Sequence, residues 1–149
     1  MRTVADPLIL AGLSARLERL TPRQLRVWGT MSTHQMVAHL ANTAEAALKR
    51  RPFAAAARRP RRVLKLVCLY LPVPWPRNIR TGEEPASERL APDGFEADHR
   101  RAINTLGELA SASEGALVDR HPIFGPMSPA EWHRWAFLHV DHHLRQFGL

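Results

Sequence analysis

Cysteine is nearly missing from this chain. Cys68 stands alone, so no intrachain disulfide can form, and a reducing compartment, by default the cytoplasm, is expected. Long apolar runs are missing too. The longest, VLKLVCLYLPVPW from Val63 to Trp75, carries Lys65 and two prolines and falls short of the roughly 20 residues a membrane-spanning helix needs. An integral membrane protein is therefore not expected. The opening MRTVADPLILAGLSARLERL has only a short apolar run, broken by Asp6 and Pro7 and followed by Arg16, Glu18 and Arg19, so no signal peptide is expected. No segment alternates apolar and polar residues long enough for a half-buried strand.

Lysine is scarce as well: only Lys49 and Lys65 among 21 basic residues, so the net charge of +7 reflects an arginine habit as much as a function. Eight basic residues do cluster within segment 49–65: Lys49, Arg50, Arg51, Arg58, Arg59, Arg61, Arg62 and Lys65. Such a cluster attracts phosphates or an anionic membrane surface. It lacks the interleaved aromatics of a single-strand binder and any nucleic-acid fold motif, so nucleic acid is not an expected partner. The plainer reading is a solvated surface beside a helix end.

What is present is helical. The 149 residues, 45% of them hydrophobic, suit one domain over 1–149 that buries its core without disulfides or a structural metal. Asp6 as N-cap and Pro7 at the first position start a helix through Leu10, Leu13, Leu17 and Leu20, which Thr21-Pro22 ends. Ser32 and Gln35 have the spacing of a capping box, opening a second helix through Met36, Leu40, Ala44, Ala47 and Leu48 to about Arg50. A long connection from Arg51 to about Asp93 holds one short helix, RRVLKLVCLYL, and the proline-rich PVPWPRNIRTGEEP. A connection of that length covers something or carries function. A third helix is expected from about Gly94 to Ser113, then a loop, GALVDRHPIFGPM, and a fourth helix capped by Ser128, Pro129 and Glu131 that runs to about Phe147, with Gly148 as its stop. The expected fold is all-α: a four-helix bundle with one long crossover connection containing a short extra helix.

Helical geometry sorts the histidines, because each residue advances about 100° around the axis. On the last helix Trp132, Ala136, Val140 and Leu144 fall into one apolar sector, with His139 at its edge. His143 lies inside that sector, whereas His142 lies outside it. On the second helix His39 leans inward with Met36 and Leu40, with Gln35 and Asn42 as its polar neighbours, while His34 falls on the far side. His139 and His143, at i and i+4, can reach one point. Three inward imidazoles must be hydrogen-bonded or they destabilise a core. A divalent metal removes that difficulty by taking one lone pair from each ring, and three protein ligands leave positions open for water or substrate. Gln35, Asn42, His142 and Gln146 are the candidates for orienting the rings. Trp28, Trp132 and Trp135 are candidates for a pocket wall, the plainer reading being core. Arg77 and Arg80 are candidates for binding the anionic group of a substrate or thiol; Asp141 and Arg145 face away, into a surface network or a homodimer contact. Cys68, within LVCLYL, reads as a buried small hydrophobe rather than a nucleophile.

The stretch WGTMSTHQMVAHL, from Trp28 to Leu40, resembles the second-helix motif of the DinB-like metal-binding four-helix bundles. HPIFGPMSPAEWHRWAFLHVDHHLRQFGL, from His121 onward, closely resembles the signature of one branch of that superfamily, the DUF1569 proteins. The resemblance implies an up-down-down-up bundle in which His39, His139 and His143 bind a divalent metal, commonly zinc or nickel. The superfamily includes S-transferases and a maleylpyruvate isomerase that depend on a low-molecular-weight thiol. By analogy, the expected function is a metal-dependent thiol transferase or hydrolase acting on a small electrophilic substrate. The alternatives are a non-catalytic metal or small-ligand binding or stress-response module, and a surface-associating protein that uses segment 49–65.

Overall fold

A computed structural model describes residues 1–53, 62–77, 90–91 and 93–149. Among these residues the structure is mostly helical, with five α-helices and one tiny antiparallel hairpin. Helix α1 spans Pro7–Glu18, and Asp6 caps it by accepting from the Leu8 and Ile9 N–H groups. Helix α2, Thr33–Ala47, opens on the Ser32–Gln35 capping box, and α5, Pro129–Gln146, opens on an equivalent box from Ser128 and Glu131. Helix α4, Phe95–Ser111, has no side-chain cap. Glu96 and Asp98 in its first turn face the positive end of the helix dipole instead. Helix α3, Arg62–Tyr70, is the short helix of the long connection.

Two helix ends use the same device. At α5 the Gly148 N–H donates to the Arg145 carbonyl and the Leu149 N–H to the Leu144 carbonyl, with Gly148 left-handed at φ 77°. At α2 the Lys49 N–H donates to Ala46 and the Arg50 N–H to Glu45, and here the left-handed residue is Lys49, at φ 62°. This places the end of α2 at Ala47, about a turn before Arg50, because no glycine announces it. The Lys49 ammonium then reaches the Gly115 carbonyl at 2.9 Å.

Helices α1, α2, α4 and α5 share one core, in which Leu13, Leu17, Met36, Leu109, Trp132 and Leu144 are almost wholly buried. The most extensive pairing is α2 along α4, while α1 packs on α4 and α5. The loop before α5 holds the hairpin: β1, Arg120–His121, pairs with β2, Gly125–Pro126. It arises because His121 Nδ1 accepts from both the Ile123 and Phe124 N–H groups, folding the chain back on itself.

Polar clamps fix α5 from two sides. Asp141 is buried, not on a solvated surface: it pairs with Arg16 of α1 and with Arg145, each at 2.7 Å, and Arg16 also donates to the Leu149 carbonyl. On the other side Glu131 accepts from Lys65 at 2.6 Å and from the Tyr70 hydroxyl at 3.0 Å, and Arg134 donates to the Leu69 carbonyl, seating α3 on α5. Among the described members of the basic cluster, Arg50 pairs with Glu108, Arg51 with Glu45 and Lys65 with Glu131. Arg58, Arg59 and Arg61 lie outside the described residues. No helix among the described residues is long and apolar enough to cross a membrane.

A left-handed Lys49 costs backbone strain that glycine would not. Lys49→Gly is therefore expected to raise stability by roughly 0.5–1 kcal/mol despite the lost side-chain bond, whereas the β-branched Lys49→Val should lower it. Urea unfolding midpoints of the three proteins check this.

Candidate metal centre

His39 comes from α2, and His139 and His143 come one turn apart from α5. Their ring centroids form a nearly equilateral triangle with sides of 5.0, 5.0 and 4.8 Å, and every pair of rings meets edge to face. One nitrogen from each ring lies within 4.8 Å of the others, and the Nε2 atoms of His39 and His139 are 3.0 Å apart. Two ligands of a tetrahedral zinc ion, each about 2.0–2.1 Å from it, lie roughly 3.3 Å apart. The triad therefore has the size and donor set to hold a divalent metal ion.

Electrostatics prepares the same state. Burial pushes the His39 imidazole down to about 4, and it holds His139 and His143 well below the usual histidine range, with charge repulsion among the neighbouring histidines adding to the effect. At neutral pH all three are uncharged, the form that can ligate. The proton on His143 is placed by a chain of hydrogen bonds. Gln146 Nε2 donates to the Trp28 carbonyl at 3.1 Å, which turns its amide oxygen toward His143 Nδ1 at 2.9 Å. Nδ1 must then carry the hydrogen, leaving the Nε2 lone pair for the triad.

The other sequence candidates divide. His142 lies beside the triangle, half-buried, with its ring 4.8 Å from Trp28, 6.0 Å from Trp75 and 5.3 Å from His143. Gln35 gives its amide oxygen to the Ser32 N–H in the capping box. Asn42 serves a different network: its oxygen accepts from Arg101, which also holds Glu45 and Asp98, and Asp98 in turn meets His34 at 2.9 Å. An arginine reaching across from α4 takes the Asn42 side chain that the angular reading assigned to His39. Trp135 stacks on His139 with centroids 4.7 Å apart. Trp132 is plain core instead, fully buried against Phe53 and bonded to the Val118 carbonyl. Arg77 lies over the Trp28 ring at 5.4 Å; Arg80 lies outside the described residues. Cys68 is buried, which pushes its thiol pKa up, away from nucleophilic use.

Two residues near the site escaped the sequence reading. Trp75, whose indole N–H donates to the Cys68 carbonyl at 2.9 Å, places its ring 6.3 Å from His139. His121, buried with its pKa lowered to about 3, packs 5.5 Å from Trp135 and so backs the ring that stacks on His139. A tryptophan between two prolines in a long connection, and a histidine opening the HPIFG stretch, were the available signals.

The burial of neutral imidazoles has a pH consequence. In the unfolded chain these rings protonate near pH 6.5, whereas in the folded chain His39 waits until about 4 and His121 until about 3. Below 6.5 the unfolded state binds more protons, so stability is full above that pH and is lost as pH falls toward 4 and then 3. For metal-free protein the denaturant midpoint should already drop between pH 6.5 and 4.5, above the carboxylate range; a flat profile there contradicts the assignment.

A family model described as a protein of unknown function, DUF1569, matches residues 10–148. No curated protein and no solved structure matches the chain significantly. The matched region contains all three histidines of the triad together with Trp28, Trp75, His121 and Gln146, and on this match the chain belongs to the DUF1569 family.

Proposed function

We propose that this chain is a divalent-metal-dependent enzyme, acting on a small electrophilic substrate with a low-molecular-weight thiol or water as the attacking group. The observation that carries the proposal is the convergence of three neutral imidazoles, from two helices, on one point. The shared core of α1, α2, α4 and α5, with ligands on α2 and α5, supports assigning the chain to the DinB-like up-down-down-up four-helix bundles, as a single domain over 1–149.

A divalent cation held by His39, His139 and His143, zinc or nickel by the resemblance, would supply Lewis acidity, acidifying a thiol or water at its open position. The chain's own residues do the rest. Gln146, anchored on the Trp28 carbonyl, holds the His143 tautomer. Trp135 fixes the His139 ring by stacking, and Trp75, tied to the Cys68 carbonyl, screens the same ring from water. Depressed histidine basicity keeps protons from competing for the ligand nitrogens.

Elemental analysis of protein purified without a histidine tag is the test. About one equivalent of divalent metal per chain is expected, with loss in His39→Ala and His143→Ala; unchanged metal content in those variants overturns the site. Gln146→Leu should weaken metal affinity roughly 10–100-fold with the fold retained by circular dichroism, and Gln146→Glu should recover most of it. Metal-dependent conjugate formation from a panel of thiols and an electrophile, or metal-dependent hydrolysis of it, supports the enzyme. Metal and thiol binding without product would leave a non-catalytic binding module.

A further inference from the structure

The rings around the triad are not equally covered. His139 and His143 are buried, whereas His39, His142, Trp28 and Trp75 are partly exposed and Arg77 is exposed. These five residues are the less covered surroundings of the triad. On that side His142 has Trp28 at 4.8 Å and Trp75 at 6.0 Å, two indole rings that offer flat apolar walls. The Arg77 guanidinium lies over the Trp28 ring, 5.4 Å from its centroid, which fixes a cation beside the approach path.

Its lack of an ion pair among the described residues sets Arg77 apart from the arginines that hold the fold. Arg16 and Arg145 pair with Asp141, and Arg101 with Glu45 and Asp98. Arg77 has no carboxylate partner among the described residues. Its stem is positioned by a ring while its fork of donors stays available, the arrangement suited to binding a carboxylate in two-point fashion. From Arg77 the sequence of contacts runs through Trp28 and His142 to His143, in steps of about 5 Å. Two intervening rings thus link Arg77 to His143, a separation that an extended ligand can cover.

We infer that Arg77, seated on Trp28 beside His142, anchors the carboxylate of the small ligand whose other end reaches the His39, His139 and His143 triad. This rests on the metal-centre reading above and adds to it the ligand class: an elongated molecule with an anionic group at one end and a metal-seeking donor, such as a thiol, at the other. Trp28 and Trp75 contact its middle.

Glutathione and its diethyl ester are suitable probes, since they share a thiol and differ in their carboxylates. Both are titrated into cobalt(II)-loaded protein, reading the thiolate-to-cobalt charge-transfer band and tryptophan emission. Wild type should bind the acid about tenfold more tightly than the ester, and Arg77→Gln should remove that preference without changing cobalt content. Arg77→Lys should keep part of it, and Arg100→Gln, an exposed arginine on α4, should keep all of it. Equal binding of acid and ester by wild type, a preference that survives Arg77→Gln, or a cobalt-loaded protein that neither probe perturbs overturns the inference. A protein that takes up no cobalt instead overturns the metal-centre reading on which it rests.

Discussion

Three imidazoles packed within 5 Å of one another in a helical core constrain everything around them. Charged, they would repel in a medium that screens poorly; neutral but unsatisfied, each would leave a polar nitrogen without a partner. The molecule meets the first demand by burial, which depresses the basicity of all three. It meets the second by convergence, which gives the lone pairs a common target. The 3.0 Å approach of His39 and His139 through their Nε2 atoms is sustained by one shared proton in the metal-free chain, or by one shared cation. The fold alone thus brings the three rings together.

That geometry depends on α5 being held at a fixed height against α2, and the clamps explain how. Asp141, between His139 and His143 of α5, is drawn to α1 by Arg16, whose second amine also holds the Leu149 carbonyl. Glu131, in the first turn of the same helix, is held by Lys65 and Tyr70 of α3. A helix pinned near both ends by partly buried ion pairs cannot slide along its axis without breaking them. The positions of His139 and His143 are therefore set by charges on faces they do not occupy. Partly buried pairs of this kind define register more than they add stability.

Most helix boundaries and the inward faces were legible because period and capping are local properties. Asp6, Ser32 and Ser128 announced three helix starts, and Gly148 announced the end of α5. The end of α2 was not legible, since the same left-handed turn is made there by Lys49 rather than glycine. Angular position brought His39, His139 and His143 together, because an apolar sector defines which way a helix faces. It could not name the partners of Asp141 and Asn42. Each is held by an arginine from another helix, and a single-helix projection cannot see a partner that arrives from elsewhere. Trp75 and His121 escaped for a related reason: both sit outside the long helices, where no period fixes direction and only tertiary contacts place the ring.

The long connection then takes on a definite role in the structure. Its described part is more than a tether between α2 and α4. Helix α3 is seated on α5 by Lys65, Tyr70 and the Leu69 carbonyl, and the Cys68 carbonyl holds the Trp75 indole two turns of sequence later. This brings Trp75 beside His139 and His142, and Arg77 over Trp28. The helices thus bring together three nitrogens that could hold a cation, while the connection places aromatic and basic side chains beside them. Such a division lets the connection vary in sequence without disturbing the backbone that sets the three nitrogens.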